Sequence, residues 1–172
     1  STLTRVISDL VESVHKAGIT RLLILNSHGG NEMKPLLREL CDKTPAHLFL
    51  CNWYQMVRDQ YDEIFENRDD HAGEMETSLA LAYFPELVAH HEDGSLTADD
   101  GKTRPFRFQA LAEGWVSITR PWHLLTTNSG SGNPHAASAE KGEQVMQVMV
   151  DRLSQFLVEL STSPLDDTFP FS

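Results

Sequence analysis

The chain has 172 residues, 40% of them hydrophobic, which fits one soluble domain with an ordinary core. Its 25 acidic and 14 basic residues give a formal net charge of -11, which argues against nucleic acid and anionic membranes as partners, because both bind clustered Lys and Arg. No apolar run approaches the roughly 18 residues that span a bilayer. With two cysteines that are not spaced as metal ligands and no signal-like first segment, we expect a reduced, cytoplasmic setting.

The first third of the chain predicts alternating helices and strands. Apolar residues at helical spacing from Leu3 to Val14, followed by a glycine, predict an amphipathic helix. Residues 21–26 and 46–52 have the composition of short buried strands, and residues 32–42 between them predict a second helix. This order is typical of a layered α/β fold with a parallel sheet.

The rest of the chain is less regular. Residues 53–59 predict a helical turn, and residues 74–84 predict a helix that ends before Pro85. The remaining predictions are a long loop over 90–114, a strand over 114–119, a turn-rich loop over 127–134, a long helix over about 136–160 and an extended C-terminal arm. No linker divides the chain, so we expect residues 1–172 to form one domain.

The segment "NSHGGN" directly follows the first predicted strand. Ligands of α/β proteins bind at the carboxyl ends of parallel strands, so His28 is placed to bind a metal or to carry a proton. Gly29 and Gly30 let the backbone approach a ligand closely, and Asn26 or Asn31 can hold the loop through hydrogen bonds from the side chain to the backbone. The alternative is an ordinary turn in which Asn31 caps the second helix and the histidine is incidental.

A second polar group lies in "DDHAGEMETS", residues 69–78. His71 precedes a predicted turn, and Glu74 and Glu76 lie on the first turn of a predicted helix. Residues two apart on a helix point about 200° away from each other, so at most one of these carboxylates faces a given site. Glu74 has a purely structural alternative, because acidic side chains stabilise a helix start. His71, Glu76 and His28 together suit divalent metal binding or acid–base chemistry.

Three segments resemble motifs of the creatininase (creatinine amidohydrolase) family, and they occur in the same order. "NSHGGN" resembles N-G-H-G-G-N with Ser27 in place of a glycine, and "HAGEMETS" resembles H-A-G-x-x-E-T-S. "GNPHAASAEKG" resembles G-D-P-x-x-A-[ST]-A-E-K-G with Asn133 in place of the aspartate. The resemblance extends over nearly the whole chain, and it implies a three-layer α/β/α fold with a mostly parallel central sheet and usually a homohexamer.

The resemblance also implies an activity and residue roles. Family members hydrolyse C–N bonds of small cyclic or linear amides with two divalent metal ions per subunit, zinc first and manganese or iron as alternatives. By this resemblance His28 is a metal ligand and His71 is the proton carrier beside the substrate. Glu76 is either the second metal's ligand, which we favour, or a general acid–base. The substrate is expected to contact the loop residues Gly29, Gly30 and Asn31.

The chain also departs from the family pattern. Creatininase itself has H-Y-E where this chain has His28, Gly29 and Gly30, and it has a tryptophan shortly before the His71 position. We therefore expect a substrate other than creatinine, as in the broader H-G-G-N branch, which includes formamide hydrolases and a peptidase. The family's E-x-H-G and L-P-x-x-T-D segment has no counterpart in the sequence, so the chain resembles the C-terminal two-thirds of a member.

Two further interpretations stay open beside a metal-dependent amidohydrolase. A chain without the bridging Asp of that segment would bind two cations poorly, and it would then be a catalytically incomplete relative that acts as a binding or assembly subunit. The other interpretation is a flavodoxin-like binding domain with incidental histidines, which requires that all three motif matches arise by chance. In the enzyme, two cations would share and activate a water molecule that attacks the amide.

Overall fold

The computed structural model describes residues 1–68, 71–119 and 121–171. Asp69 and Asp70, the first two residues of "DDHAGEMETS", lie outside the described residues, as do Arg120 and Ser172. The chain divides into two compact units, the first made of Ser1–Arg58 with Met149–Ser172 and the second of Asp59–Val148. The expectation that residues 1–172 form one domain stays a prediction.

The helices are, in chain order, α1 (Thr2–Lys16), α2 (Met33–Leu40), α3 (Tyr61–Ile64), α4 (Glu74–Tyr83), α5 (Gln109–Ala112), α6 (Trp122–Leu125) and α7 (Ala139–Thr162). Short 3-10 turns lie at Trp53–Val57 and Pro85–Leu87. The predicted helices of the first third, the helix after His71 and the long C-terminal helix are all confirmed, with ends that differ by a few residues. None of the helices in the described ranges combines the length and the apolar character that a membrane span requires.

The first unit contains two parallel strands, β1 (Arg21–Asn26) and β2 (His47–Asn52). They pair in register from Arg21 opposite His47 to Asn26 opposite Asn52. Both strands therefore end at the same edge of the sheet, where their terminal asparagines lie side by side. This confirms the predicted α/β class and the parallel pairing.

Helices cover both faces of this sheet. On one face, Leu22 and its strand neighbour Leu48 pack against the buried side chains Val11, Leu36 and Leu40 of α1 and α2. On the other face, the ring of Phe49 contacts Phe156 of α7 at a centroid distance of 5.7 Å. The first unit thus has the three α/β/α layers that the resemblance implies.

The C-terminal tail differs from the predicted extended arm. Residues 167–170 form a turn, and the ring of Phe169 lies 4.7 Å from His47 and 6.2 Å from Phe49, measured between centroids. Apolar burial against the sheet explains the difference, because a solvated arm would leave that phenylalanine exposed.

The second unit contains short helices connected by long loops and isolated antiparallel bridges, including His71 with Ser131, Gly101 with Gly132 and Thr103 with Thr126. The strand predicted at 114–119 is wrong, because these residues form turns and irregular backbone. Trp115 and Ile118 are 73% and 59% exposed, so apolar alternation did not lead to pairing with another strand. The short helices α3, α5 and α6 were not predicted.

Candidate active site

The loop that contains His28 is held by one buried side chain, Asn26, which is 2% exposed. Its Nδ2 donates to the His28 carbonyl at 2.9 Å and to Oδ1 of Asn52 at 2.8 Å. Its Oδ1 accepts from the backbone N–H of His28 at 3.4 Å and from Nδ2 of Asn31 at 3.0 Å. The expectation that Asn26 or Asn31 holds this loop through side-chain bonds to the backbone is confirmed for Asn26, whereas the Asn31 side chain bonds to the Asn26 side chain.

One part of the alternative interpretation, that Asn31 caps the second helix, is wrong, whereas its other part, an incidental His28, is not tested. The residue at the N-cap of α2 is Glu32, and its side chain makes no capping hydrogen bond. The amide of Asn31 is turned toward Asn26 instead. The loop is thus organised around the strand end rather than around the helix start.

The imidazole of His28 is exposed and folds back over its own loop. Its Nδ1 accepts the N–H of Gly30 at 3.0 Å, and a Cβ placed on Gly30 would lie 3.0 Å from the same atom. A neutral imidazole that accepts at Nδ1 has its proton on Nε2. Metal binding by a neutral His28 imidazole, through either nitrogen, therefore requires loss of the Gly30 hydrogen bond.

Two aromatic residues from the end of β2 lie beside this loop and were not among the predicted site residues. Nε1 of Trp53 donates to the Ser27 carbonyl at 2.9 Å. The ring of Tyr54 lies 3.9 Å from the position that a Cβ on Gly29 would occupy. The parallel pairing of the strands was the only sequence signal for them, because it brings both strand ends to one edge.

In the second unit, the structure brings His71 and Glu76 together. Nδ1 of His71 lies 3.5 Å from Oε2 of Glu76, and each side chain is 38% exposed. The same Oε2 accepts the N–H of Ala72 at 2.7 Å. Ala72 has φ +52°, a left-handed conformation that is uncommon for alanine and that turns its N–H toward the carboxylate. Backbone outliers of this kind concentrate at functional sites.

Glu74 faces elsewhere, as the spacing predicts. It has no exposed surface, and its carboxylate accepts from the backbone N–H groups of Glu66 and Asn67, from Nδ2 of Asn67 and from Nζ of Lys141. Burial acts to raise the pKa of Glu74, but these hydrogen bonds outweigh it and hold that pKa below its usual value. Glu74 is therefore a structural anion, and Glu76 is the carboxylate available to the site.

His71 has two further partners that the sequence did not reveal. Its backbone exchanges hydrogen bonds with Ser131, donating at 3.1 Å and accepting at 2.8 Å. Its ring packs at 89° against Trp122, with 5.4 Å between centroids. Both partners come from α6 and the loop that follows it, far along the chain, so local spacing contains no signal for them.

The described residues do not by themselves form a complete metal site. The predicted ligands His28 and Glu76 belong to different units, and in neither unit do three or more described His, Cys, Asp or Glu side chains converge as a metal site. Imidazole and carboxylate are suitable donors for zinc or manganese. The described residues therefore provide donors of the right type, but fewer than a metal ion needs.

Comparisons with known proteins give a consistent result. The profile of the Creatininase family, described as creatinine amidohydrolase, matches residues 1–157. The 3-dehydro-scyllo-inosose hydrolase of Thermotoga maritima is 26% identical over 168 residues, which cover 83% of this chain and 51% of that protein. The creatinine amidohydrolase of Pseudomonas putida is 26% identical over 174 residues, which cover 92% of this chain and 63% of that protein. The chain thus spans about half of the first relative and less than two-thirds of the second.

Solved structures show the same fold. A candidate creatinine amidohydrolase from Bacteroides fragilis is 37% identical, with a TM-score of 0.83 over 96% of this chain and 64% of its own. A mutant creatininase of Zn-Zn type and a manganese creatininase are 23% and 24% identical, with TM-scores of 0.63 and 0.61. Each of these two matches covers 95% of this chain, and they cover 64% and 65% of the respective creatininases. At that identity they show a shared fold alone.

Proposed function

The chain belongs to the creatininase (creatinine amidohydrolase) family, and from this premise we propose that the full-length protein hydrolyses a C–N bond of a small cyclic or linear amide. The observation that supports this most is the contact between His71 and Glu76 inside the "HAGEMETS" motif, with 3.5 Å between Nδ1 and Oε2. This contact supports hydrolysis of an amide C–N bond whichever small amide is the substrate.

His71 is the proton carrier in this proposal. Amide hydrolysis requires a proton on the departing nitrogen, and an imidazole can both accept and donate a proton. A carboxylate at Nδ1 favours the tautomer with the proton on that nitrogen and fixes the plane of the ring. Nε2 is then the atom that exchanges a proton with the substrate.

We propose that the protein uses two divalent metal ions per subunit. Zinc is the expected metal, and manganese and iron are the alternatives. His28 and Glu76 would be ligands from this chain, and the other ligands would come from outside the described residues. Such ions, when bound, lower the pKa of a water molecule and supply the attacking hydroxide. Solved creatininases with zinc and with manganese support the choice of metals. If Glu76 is not a ligand, its contact with His71 fits an acid–base role.

The His28 loop is the proposed substrate surface. Gly29, Gly30 and Asn31 are exposed, and the two glycines leave the backbone uncovered for close approach. The partner is thus a small molecule, and the acidic composition supports neither nucleic acid nor a membrane as a partner. We also propose that the protein forms a homo-oligomer, and the family resemblance implies a hexamer.

A second candidate is a binding or assembly subunit without catalysis. The incomplete set of metal donors within the described residues is the observation that favours it. Without the bound metals, the contact between His71 and Glu76 would have a structural role and no catalytic one.

Metal analysis of the purified full-length protein distinguishes the two candidates. We expect about two zinc, manganese or iron ions per chain, as in two-metal hydrolases, and a clear reduction in His28→Ala and Glu76→Gln. The control is His91→Ala, which removes an exposed histidine from a surface loop and should leave the metal content unchanged. Absence of bound metal, together with no change in thermal stability on addition of divalent ions, would contradict the two-metal proposal.

A further inference from the structure

The Trp122 side chain contacts the proposed proton carrier directly. The ring centroids of Trp122 and His71 lie 5.4 Å apart with an interplanar angle of 89°. This edge-to-face arrangement is one that aromatic rings prefer, because the positive edge of one ring meets the negative face of the other. Such a contact restricts rotation of the imidazole about its side-chain bonds.

Trp122 is itself fixed at both ends. Its Nε1 donates to the Ser129 carbonyl at 2.6 Å. Its backbone carbonyl accepts from the N–H of Thr126 at 2.9 Å and from Oγ1 of the same residue at 3.0 Å. Thr126 is 2% exposed and pairs with Thr103 in an isolated bridge. The indole is therefore a fixed surface against which another ring can be oriented.

One segment, residues 122–131, which consists of α6 and the loop that follows it, holds both the ring and the backbone of His71. Ser131 exchanges two backbone hydrogen bonds with His71, and Trp122 supplies the ring contact. Ser129 has φ +72° between them, a left-handed turn that closes the loop. Glu76 approaches the imidazole from α4, so the backbone, the ring and Nδ1 of His71 all have partners.

Trp122 is also 39% exposed in spite of these contacts. A tryptophan with both its polar atom and its backbone satisfied has only apolar ring surface to offer to a ligand. The ring that carries this exposed surface contacts the imidazole that would receive or deliver the proton. A flat apolar wall favours a planar group, because stacking requires two extended faces.

We infer that Trp122 positions the His71 imidazole for proton transfer and forms a wall of the substrate site that favours planar cyclic amides over short acyclic ones. This role rests on the proposed amide hydrolysis. Trp122 acts on the reaction through His71 and is in that respect a positioning residue. Packing alone would predict a different outcome, because loss of the indole would then lower stability but leave kcat and KM of the folded protein unchanged.

The kinetic test compares the metal-loaded full-length protein with Trp122→Leu and Trp122→Phe. The probes are two planar cyclic amides, creatinine and hydantoin, and one acyclic amide, N-methylformamide. We expect Trp122→Leu to lower kcat on hydrolysed probes by about 10- to 100-fold, since small misplacements of a reacting group have effects of this size. Its KM should rise for the cyclic probes more than for the acyclic one, and Trp122→Phe should restore most of kcat. Trp115→Leu, at a 73% exposed tryptophan, is the matched control and should change neither constant.

A second measurement tests the contact independently of activity. The losses in Tm from His71→Ala and Trp122→Leu should be non-additive in the double variant, whereas those from His71→Ala and Trp115→Leu should add. Additive losses for the first pair would overturn the inference.

The two measurements distinguish failure of the role of Trp122 from failure of the proposed amide hydrolysis. Hydrolysis by the wild type with unchanged kcat and KM in Trp122→Leu would overturn the inference and leave the proposed function standing. Hydrolysis of no probe, with the Tm coupling intact, would count against the proposed function and therefore against the role of Trp122 in it, while the contact itself would stand.

Discussion

Nζ of Lys141 lies 2.5 Å from Oε1 of Glu74, a carboxylate without exposed surface, although the two residues are 67 positions apart in sequence. The same ammonium donates to the Ala136 carbonyl at 2.8 Å and to Oε1 of Glu66 at 3.2 Å. Burial acts to lower the pKa of Lys141, but its bonds to the two glutamates outweigh that effect and raise this pKa above its usual value. The second and third family motifs are thus joined by a buried ion pair, which fixes the start of α4 where Glu76 lies.

Removal of the cation should destabilise the protein strongly. In Lys141→Met the Glu74 carboxylate loses its charged partner, and breaking a buried pair from one side costs about 3–5 kcal/mol of unfolding free energy. Urea unfolding measures this change. Lys43→Met is the matched control, because Lys43 forms an exposed ion pair with Glu39, four residues earlier in the chain. This variant should change stability little. Equal losses in the two variants would contradict the structural role of Lys141.

A second prediction concerns the close approach of α7 to α4. A Cβ on Gly142 would lie 2.1 Å from the Ser78 carbonyl oxygen and 2.9 Å from Cβ of Ala82. Gly142→Ala should therefore lower the unfolding free energy by about 1–3 kcal/mol or more through overpacking, even though alanine favours helices. Gln144→Ala, at an exposed position two residues along the same helix, should be neutral or slightly stabilising. Thermal unfolding of both variants checks this, and a stabilised Gly142→Ala would contradict the contact.

Local spacing predicted much of the fold and, within the candidate site, the approach of Glu76 to His71. The periodicities of α1 and α4 and the apolar runs of β1 and β2 are properties of consecutive residues, so they could be read without a structure. The turn between His71 and the helix that follows likewise brought Glu76 to the histidine over a few residues. The same reasoning failed at 114–119, because a strand needs a partner that the sequence pattern does not specify.

The remaining contacts join distant parts of the chain. Trp122 and Ser131 reach His71, and Lys141 reaches Glu74, across separations at which a single sequence has no information about proximity. The roles of His28, Gly29, Gly30 and Asn31 in ligand binding stay predictions, because the contacts of the described residues do not test them.

A third prediction concerns the amide that organises the His28 loop. Asn26→Ala should lower the unfolding free energy by about 2–4 kcal/mol, because several buried hydrogen-bonding groups lose their partner at once. Asn26→Asp should be about as harmful, because it keeps the shape but replaces the donor that faces His28 and Asn52 with an acceptor. Asn31→Ala removes only the bond to Asn26 and should be the milder variant. Chemical denaturation ranks the three, and a mild Asn26→Asp would contradict the assigned donor.

A fourth prediction follows from the two cysteines. Burial raises the pKa of the Cys51 thiol, whereas Cys41 is exposed. The thiolate is the reactive form, so below its pKa Cys51 should be alkylated by iodoacetamide more slowly than Cys41. Its rate should increase as the pH rises toward that raised pKa, since the thiolate fraction grows. Mass spectrometry of partially labelled folded protein measures both rates at pH 7 and pH 9, and faster labelling of Cys51 would contradict its burial.

The most direct test of the proposed function is hydrolysis of a panel of small cyclic and linear amides by the metal-loaded full-length protein, with His71→Asn beside it. We expect turnover of at least one amide and a decrease in kcat of about 10²- to 10⁴-fold in the variant, the usual contribution of a positioned acid–base group. His91→Asn, in an exposed loop, should retain the wild-type rate. Hydrolysis that is equally fast in His71→Asn would contradict the assigned proton carrier, and no hydrolysis across the panel would contradict the amidohydrolase itself.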